Sequence, residues 1–440
     1  MRVCLIVLCG IFVTGLSVMA GGFAVQEQSA KGLGMAFSGT ATGLGDASSV
    51  YFNPAAMSRL GKKTATVAGH MISPQGEFNN NGSIHNPALG SIPVSGGNGG
   101  DSGSSAMVPN IYLARGFGES FHVGFGVNAP YGLESKYPDG WVGRYHGLKS
   151  DLQVVNLNLA GSYKINDFIA VGAGFSYYEA DAELSNAIDF GTIGVSILGP
   201  GAGFVPGQND GSFLVKGDDT TTGFNAGVLI TPNDRYSIGI GYRSSIDIKI
   251  EGDATFVVPA EFQPIAAQTG LFQNTSGVAE VELPAQLHVG YDRQLNDKWR
   301  LAFDYLRYEW SSFDELRIQF DNPRQADAVV DEAWDDTNRF ALGFDHVVSD
   351  TWGYRFGVAY EETPIPDAEH RTPRIPDNDR TWLSLGFSYQ PAHAWTVDFG
   401  ASYLIMSDGD VNTQGSTGDI LKGSYDLSVF ITSLQLTWKP

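Results

Sequence analysis

Side chains that could do chemistry are present in this sequence, but their spacing is not that of an active site. The motifs G-x-S-x-G and H-E-x-x-H are both absent. Residues 408–412 resemble the start of a calcium loop, but Thr413 stands where that loop needs glycine and no glutamate closes it. The eight histidines are scattered without the spacing of metal ligands, at His70, His85, His122, His146, His288, His346, His370 and His393. The sequence therefore predicts no catalytic residue, no metal site and no cofactor.

One short segment combines aromatic and basic residues in a way that suits ligand contact. Residues 141–146 are Trp-Val-Gly-Arg-Tyr-His. In one interpretation Trp141 lines an external groove and Arg144 attracts an acidic head group. In the other the loop packs on itself, with Arg144 stacked on an aromatic ring.

Three further arginines lie within alternating segments, on the polar side of each. Arg243, Arg339 and Arg355 could contact a ligand or belong to a structural network of ion pairs, and the sequence favours the network. Their role depends on which way the polar side faces.

Strands are the elements that must position these side chains. Apolar residues alternate with small or polar ones in several segments, which is the period of a β-strand. The clearest cover residues 154–163, 299–305, 352–361, 383–389 and 395–403. In a soluble sandwich the apolar face points inward, whereas in a membrane barrel it points outward to lipid.

The connections between strands distinguish these two architectures. Six short turn-like connections alternate with seven long segments, which predicts 14 strands. The short ones are 118–120, 166–167, 232–234, 295–297, 348–350 and 391–393, and the long ones are 73–107, 131–150, 185–219, 251–279, 309–336, 361–380 and 407–424. Strict alternation of this kind is typical of outer-membrane barrels. We therefore predict an all-β, 14-stranded antiparallel transmembrane barrel over residues 62–440.

Composition and the first residues agree with an exported membrane protein. The net charge of −21 argues against nucleic acid as a partner, because phosphate binding needs a basic surface. Residues 1–20 combine Arg2 with an apolar core and small residues, as in a secretory signal peptide. Both cysteines, Cys4 and Cys9, lie within it. The expected location is the outer membrane of a Gram-negative bacterium.

Residues 21–61 do not follow the strand pattern. They are rich in Gly, Ala and Ser, and they carry Phe23 and a helix-start motif, Asn53-Pro54-Ala55. A 14-stranded barrel has a lumen wide enough to leak unless it is filled. We interpret this segment as a hatch that plugs the lumen.

A second irregularity lies in the third strand. After a regular stretch at 121–127 come Asn128, Pro130, Tyr131 and Gly132. Proline cannot donate to a strand ladder, and glycine has no side chain to pack. Either one seam of the wall is weakened here, or the strand ends and a loop begins.

Together with other segments along the chain, the N-terminal motifs and this irregularity make the chain resemble the FadL/TodX-type outer-membrane channels for long-chain fatty acids and hydrophobic compounds. Any one motif is weak, but their order along the chain is specific. The resemblance is carried by Gly22-Phe23, 29–39, Asn53-Pro54-Ala55, 131–133, 156–163, 225–229, 242–244, 283–284, 364–366 and 375–384. It implies ligand capture in an external groove, transfer to an internal pocket and lateral exit at strand 3.

Two features depart from what the resemblance implies. A basic residue is expected in the lumen for a fatty-acid carboxylate, but 183–186 and 331–333 hold no Arg or Lys. This favours neutral hydrocarbons as the alternative ligand. The chain also ends with Trp438 two residues before its terminus, where an aromatic assembly signal is usual.

We therefore expect a passive channel for long-chain fatty acids or other hydrophobic compounds. The expected partners are the ligand, outer-membrane lipid, lipopolysaccharide and the barrel assembly machinery. A barrel enzyme acting on lipids is one alternative, and an unplugged polar porin is another.

Overall fold

A computed structural model describes residues 22–440, so the predicted signal peptide lies outside the described residues. Within them, 19 antiparallel strands form one sheet, and β1 pairs with β19 to close it. The strands are β1 Lys63–Asn80, β2 Ala106–Phe117, β3 Phe121–Lys136, β4 Lys149–Lys164, β5 Ile169–Asp189, β6 Asp210–Asn233, β7 Tyr236–Arg243, β8 Ile246–Val257, β9 Thr275–Leu283, β10 Gln286–Gln294, β11 Trp299–Tyr308, β12 Glu315–Phe320, β13 Ala328–Asp331, β14 Thr337–Val347, β15 Trp352–Glu361, β16 Arg380–Ala392, β17 Trp395–Met406, β18 Gly409–Gln414 and β19 Ile420–Trp438. The architecture is a closed barrel.

In five places two consecutive strands are parts of one longer strand. β7 and β8 both pair with β6, and β17 and β18 both pair with β19. The pairs β9 with β10, β11 with β12 and β13 with β14 continue each other in the same way. This leaves 14 strands in the barrel, so the predicted number is confirmed. All six predicted short turns connect neighbouring strands.

The apolar faces of the strands point outward. Along β16, Leu385 is 68% exposed, whereas its neighbour Ser384 is 3% exposed. The same alternation holds in β19, where Leu434 is 60% exposed and Ser433 is 3%. A soluble sandwich would bury these leucines, so the pattern is that of a barrel facing lipid.

The predicted bounds of the long loops are partly wrong, because some strands extend into them. β5 runs to Asp189 and β6 begins at Asp210, so both continue well into the stretch expected to be loop. These extensions pair with each other over their full length. Cross-strand pairing continues beyond the apolar belt, where the sequence no longer alternates clearly.

Short helices lie at the N-terminus and in the long connections. The helical segments are Ala30–Leu33, Ser49–Phe52, Pro54–Arg59, Pro87–Leu89, Phe190–Leu198, Gln263–Thr269 and Trp310–Ser312. None of the helices in residues 22–440 is both long enough and apolar enough to cross a bilayer.

Residues 22–60 are buried almost throughout and contact the inward faces of the strands. The contact is backbone to backbone at several points, because inward glycines leave room for it. A Cβ atom on Gly386 would lie 2.9 Å from Cα of Gly34, and one on Gly357 would lie 2.2 Å from the carbonyl carbon of Met35. The N-terminal segment therefore fits closely inside the barrel.

Candidate ligand-binding and gating site

The wall of the barrel has an interrupted seam between β2 and β3. The two strands pair from Phe117 and Phe121 as far as Ile111 and Val127, and the ladder stops there. β2 continues to Ala106, paired only with β1. β3 also continues, and its register with β4 shifts between Asn128 and Tyr131. The strand therefore does not end at the irregularity, and the weakened seam is the interpretation that fits.

The N-terminal segment supplies the missing partner on the inner side of this seam. Ala24 forms an antiparallel bridge with Tyr131. The Val25 amide donates to the Pro130 carbonyl at 2.8 Å, and the Gly132 amide donates to the Phe23 carbonyl at 3.0 Å. Residues 23–25 thus form a short strand on the interrupted part of β3.

Side chains from the same segment contact both edges of the seam. The Gln28 amide donates to the Ala129 carbonyl of β3 at 2.9 Å and accepts from the Tyr112 hydroxyl of β2 at 3.0 Å. The Asn110 amide of β2 donates to the Glu27 carbonyl at 2.7 Å. Opening the seam would therefore require these hydrogen bonds to break or to move together.

Phe23 is held by a cluster of aromatic rings. Its ring centroid lies 4.8 Å from Trp310, 5.7 Å from Phe313 and 5.7 Å from Trp334. Tyr131 is 6.3 Å away, and its hydroxyl donates to the Pro284 carbonyl at 3.1 Å. Aromatic pairs at such distances add stabilisation beyond area burial. The cluster joins the N-terminus, the seam and an external loop.

Asn53, Pro54 and Ala55 lie deeper in the lumen. The Asn53 side chain accepts from the Ala55 amide at 3.0 Å and donates to the Ala41 carbonyl at 2.6 Å and the Val228 carbonyl at 3.2 Å. A Cβ atom on Gly227 would lie 1.9 Å from Oδ1 of Asn53. This position must be glycine for Asn53 to anchor the helical turn against β6.

An apolar cavity lies directly behind Phe23. The space between its lining atoms is about 780 Å³ including open solvent. It is lined by Phe23, Leu133, Ser150, Asp151, Leu152, Ala182, Leu184, Val215, Gly217, Ile248, Ile250, Ala279, Val281, Leu283, Phe313, Leu316, Glu332, Arg374 and Ile375. The walls come from β3 to β6, β8, β9, β12 and neighbouring loops, and a chain of CH₂ groups would meet mostly hydrocarbon there.

A larger open cavity lies on its external side. It encloses about 2700 Å³ including open solvent, between the loop helix Phe190–Leu198 and the strand ends near β12 and β13. Leu184, Leu316 and Arg374 line both cavities. The outer cavity and the inner one therefore share a wall, which gives a ligand a short path between them.

Arg374 is a functional candidate that the sequence analysis missed. It lies between β15 and β16 and is buried. Its guanidinium donates to Ser150 Oγ at 3.1 Å, to the Lys149 carbonyl at 3.4 Å and to Asn186 Oδ1 at 3.2 Å. Residues 183–186 and 331–333 hold no Arg or Lys, but a loop supplies Arg374 at this place, and Asn186 accepts a hydrogen bond from it. The sequence signal was the position of Arg374 in Pro373-Arg374-Ile375-Pro376, directly before the stretch 375–384 that carries the resemblance.

The acidic residues of β5 do not face this cavity. Ala182 and Leu184 line it, whereas Glu183 pairs with Lys149 at 3.1 Å and Lys216 at 3.6 Å. Alternation along the strand places the carboxylate on the other face. The acidic residues of β5 therefore give no reason to exclude a ligand with a carboxylate.

Trp141 and Arg144 are engaged by other loops. Trp141 stacks on Tyr137 with centroids 4.0 Å apart. Arg144 pairs with Asp210 at 2.8 Å and lies over the Tyr145 ring at 4.4 Å. Tyr145 is itself part of the outer cavity wall. These contacts favour the self-packed loop, and a ligand role for Trp141 and Arg144 stays a prediction.

Arg243 and Arg339 hold the N-terminal segment. The Arg243 guanidinium donates to the Tyr51 carbonyl at 2.9 Å, and that of Arg339 donates to the Ala36 carbonyl at 2.9 Å. Arg339 also approaches Glu361 at 3.5 Å. Both side chains therefore connect the barrel wall to the N-terminal segment inside it.

Asn128 at the seam contacts β4, while its Nδ2 atom has no hydrogen-bond partner within residues 22–440. Asn156 of β4 donates to Asn128 at 3.2 Å across the register shift. Among residues 22–440, no set of three or more His, Cys, Asp or Glu side chains is grouped so as to hold a metal ion. The site is thus built from apolar walls, aromatic rings and a few buried polar groups.

The chain is similar in sequence to long-chain fatty acid transport proteins and to other outer membrane proteins. It is 31% identical over 396 residues to the long-chain fatty acid transport protein of Salmonella typhi, covering 87% of each chain. It is 30% identical over 406 residues to that of Escherichia coli strain K12, again covering 87% of each. It is 29% identical over 418 residues to outer membrane protein P1 of Haemophilus influenzae, covering 89% of this chain and 88% of the relative.

Solved structures agree with the architecture. A Pseudomonas aeruginosa FadL homologue matches with a TM-score of 0.89 at 25% identity, over 95% of this chain and 99% of that one. The Pseudomonas putida toluene transporter TodX matches with a TM-score of 0.68 at 15% identity, over 94% and 99% of the two chains. The second likeness concerns the fold alone.

A family model described as outer membrane protein transport protein (OMPP1/FadL/TodX) matches residues 11–439, which is nearly the whole chain. The family is one of transport proteins rather than enzymes. Together with the outward apolar faces, this confirms the predicted location in the outer membrane of a Gram-negative bacterium. The chain therefore belongs to the OMPP1/FadL/TodX family of outer membrane transport proteins.

Proposed function

We propose that this protein is a passive channel that takes up long-chain fatty acids or other hydrophobic compounds across the outer membrane. A ligand is captured in the outer cavity, moves into the inner cavity behind Phe23 and leaves sideways at the seam between β2 and β3. The observation that carries the proposal is the apolar inner cavity, which lies behind the residue that covers this seam.

Lateral release is supported by the energetics of an apolar ligand. Each CH₂ group gains about 0.8 kcal/mol by staying out of water. A path from apolar cavity to bilayer avoids the periplasmic water that a path down the lumen would cross. An opening in the wall must be lined by protein or ligand, because unpaired backbone against lipid is costly. Residues 23–25 pair with β3 at this place.

Gating by residues 21–61 is the second part of the proposal. This hatch fills the lumen below the cavity, where Asn53, Pro54 and Ala55 anchor it. Phe23, Asn128, Pro130, Tyr131 and Gly132 form the gate itself. Movement of the short strand at 23–25 uncovers the seam while the anchored part keeps the lumen closed. No cofactor takes part, because the driving force is the transfer of apolar surface.

Neutral or aromatic hydrocarbons are the alternative ligands. The inner cavity is almost entirely apolar in its lining, which suits them as well as an acyl chain. Salmonella typhi and Escherichia coli relatives are named for long-chain fatty acid transport, and this favours the acid. A polar porin is disfavoured by the filled lumen, and a lipid enzyme by the transport family.

The outward apolar belt supports contact with outer-membrane lipid. We further propose that acidic external residues bridge to lipopolysaccharide through divalent cations, and that the barrel assembly machinery recognises the last strand. Trp438 supports the second point, because it pairs with Ala65 and Trp395 at the barrel's closing seam.

The test is uptake of labelled oleate by a Gram-negative host that lacks its own fatty-acid channel and expresses this protein. Surface assembly is verified first by the gel mobility of unheated and heated samples. Uptake above the empty host is the expected result. A properly assembled barrel that takes up neither oleate nor toluene would contradict the proposed function, and uptake of toluene alone would select the alternative.

A further inference from the structure

Two basic side chains lie opposite each other on the lipid-facing surface of the barrel, at one end of the strands that lead to the seam. Lys63 of β1 and Arg115 of β2 are directly paired in the strand register, and both are exposed. Alternation along the strands places them on the same outward face as Val67 and Leu113. Like charges directly opposite each other destabilise a strand pair. An anion beside the two cations would relieve this repulsion.

The part of the chain that the structure describes supplies no such anion. Within residues 22–440, no carboxylate lies within salt-bridge distance of Lys63, of Arg115 or of the exposed neighbour Lys62. Glu119 in the turn after β2 and the carboxylate of Pro440 after β19 both lie outside that distance. The two facing cations therefore leave room for an anion from outside the protein.

These basic residues lie at the periplasmic end of the strands. β2 and β3 are joined here by the short turn 118–120, and the short turns of outer-membrane barrels face the periplasm. Phe117 and Phe121 flank this turn, are exposed, and have ring centroids 6.2 Å apart. Aromatic rings at strand ends are typical of the girdle at the membrane interface. The Arg115 guanidinium lies 5.1 Å from the centroid of the Phe117 ring, so it is placed at the level of the lipid head groups.

The same place lies directly below the interrupted seam. The ladder between β2 and β3 runs from Phe117 only as far as Ile111, which is four residues beyond Arg115. Four residues of a strand span about 13 Å. The hydrocarbon of one leaflet is about 15 Å thick. An acyl chain whose head group is at Arg115 therefore passes Leu113 and reaches the point where the ladder stops.

We propose that Lys63 and Arg115, with Lys62 beside them, bind the head group of an anionic phospholipid of the periplasmic leaflet. The inference goes beyond the proposed channel function, because it assigns a lipid site on the outside of the barrel. The phosphate accepts hydrogen bonds from the ammonium and guanidinium groups, and such charge-assisted bonds are among the stronger ones in proteins. One acyl chain of the bound lipid lies against Leu113 and extends toward the seam.

A lipid held in this way covers the outer side of the seam. Leu113 and Phe125 oppose each other in the ladder between β2 and β3, and both side chains are exposed on the outer surface. Residues 23–25 cover the seam from the inside. Backbone left unpaired against hydrocarbon is costly, so a chain fixed at this place limits what an open seam meets. A ligand that leaves at the seam enters the bilayer beside the chain of this lipid.

The experiment measures lipid binding to the purified barrel by native mass spectrometry. The probes are dioleoyl phosphatidylglycerol, dioleoyl phosphatidylcholine with the same acyl chains, and glycerol 3-phosphate as a phosphate without chains. Wild type is compared with Lys63→Gln/Arg115→Gln. The matched control is Lys249→Gln/Arg317→Gln, which also removes two cations but at places where each pairs with a carboxylate of the chain. Gel mobility of unheated samples verifies that each variant is folded.

Lys63→Gln/Arg115→Gln should weaken phosphatidylglycerol binding by about twentyfold, or about fivefold for each cation removed. Phosphatidylcholine binding should stay within about twofold, and the control variant should behave as wild type for both lipids. Equal phosphatidylglycerol affinity in wild type and Lys63→Gln/Arg115→Gln would overturn the inference, and so would a wild type without preference between the two lipids. Glycerol 3-phosphate bound as tightly as phosphatidylglycerol would also overturn it, because the site would then select a free anion rather than a lipid.

A second measurement locates the bound lipid on the wall. Phosphatidylglycerol with a photoreactive diazirine in one acyl chain is crosslinked to the barrel, and the labelled peptides are identified. In wild type the label should concentrate on β2 and β3, and Lys63→Gln/Arg115→Gln should lose most of it. Label spread evenly around the barrel would overturn the placement at the seam. Because these outcomes do not depend on uptake, the proposed channel function is tested separately.

Discussion

The two halves of the lumen differ in what fills them. In the lower half, residues 30–60 press against inward glycines such as Gly227 and Gly386, and the arginines there contact hatch carbonyls or acidic side chains. In the upper half, an apolar cavity lies beside Arg374, which has no carboxylate within salt-bridge distance among residues 22–440. Close packing of the N-terminal segment seals a barrel, whereas apolar space beside a buried arginine suits a ligand.

The largest effect should follow from removing the contents of the lower half. Deleting residues 23–60 is expected to convert a closed barrel into an open pore, because a 14-stranded barrel is wide enough to conduct when unfilled. Single-channel recording in planar bilayers measures this. If the intact protein already conducts like an open pore, the interpretation that residues 23–60 seal the lumen is wrong.

Gly227→Leu provides a version of this test that keeps the chain complete. The added side chain would occupy the space of Asn53, since even a Cβ atom would lie 1.9 Å from its Oδ1. We expect frequent openings in the same recordings. The control is Gly118→Leu, in the short turn between β2 and β3, where no atom lies within 4 Å of an added Cβ; its backbone strain should affect stability but not conductance.

A smaller effect is expected from Asn53→Ala. The substitution removes three hydrogen bonds and leaves the Val228 and Ala41 carbonyls without this donor. Each unsatisfied buried group costs roughly 1–3 kcal/mol. We expect a lower thermal transition of the hatch and occasional openings, while exposed Asn98→Ala serves as the control. Unchanged conductance and unchanged melting would show that Asn53 does not anchor the segment.

In the upper half, oleate affinity should depend on pH through Glu332. Burial raises the pKa of this carboxyl to about 8, so the group is protonated below this pH and ionised above it. The ionised form competes for Arg374 and repels the ligand carboxylate, so affinity should fall by about tenfold between pH 7 and pH 9.5. Asp331 lies next to it, and Asp151 of β4, which pairs with Lys149 at 3.3 Å, lines the same cavity.

Glu332→Gln is the control for this pH dependence, because it keeps the shape of the protonated form. Its oleate affinity should stay nearly constant over the same range. If the variant loses affinity with pH just as the wild type does, another group must be responsible and the pairing of Glu332 with Arg374 is wrong.

The smallest effect concerns chain length. Each additional CH₂ that enters the inner cavity should improve affinity by about fourfold, from about 0.8 kcal/mol, until the cavity is filled. Ala279→Leu should move this plateau to shorter acids, because Ala279 lines the cavity. Exposed Ala267→Leu should not move it. A titration series of saturated acids measures both.

Much of this architecture was predictable from local patterns. Alternation in 395–403 and the short turns fixed the strand number, because outward apolar residues and turn formers recur at regular intervals. The irregularity at Pro130 and Gly132 also identified the seam, since a missing donor interrupts any ladder. What the pattern could not decide was whether β3 ended there, because β4 pairing resumes beyond the shift.

Arg374 shows what local patterns cannot supply. The strand expected to carry a cation, β5, has Glu183 at that place instead. The cation comes from a loop, at Arg374, and contacts Asn186, which lies 188 residues earlier in the chain. Side-chain contacts between the loops of a barrel depend on how the barrel closes. No local sequence pattern indicates this. The same holds for the Phe23 cluster with Trp310 and Trp334.

The central claim is that the short strand at 23–25 must leave the seam before a ligand can exit. Ala24 and Tyr131 are directly opposed, with hydrogen bonds on either side of the pair rather than between them. Such pairs have Cα atoms about 4.5 Å apart, within the range that a disulfide bridges. The two natural cysteines, Cys4 and Cys9, fall in the predicted signal peptide.

The decisive measurement is therefore oleate uptake by the double variant Ala24→Cys/Tyr131→Cys, oxidised and then reduced, beside each single variant. We predict that the oxidised protein binds oleate but takes up almost none, and that reductant restores uptake to the level of the single variants. Uptake by the fully oxidised protein at that same level would contradict the account, because the ligand would then leave without opening the seam.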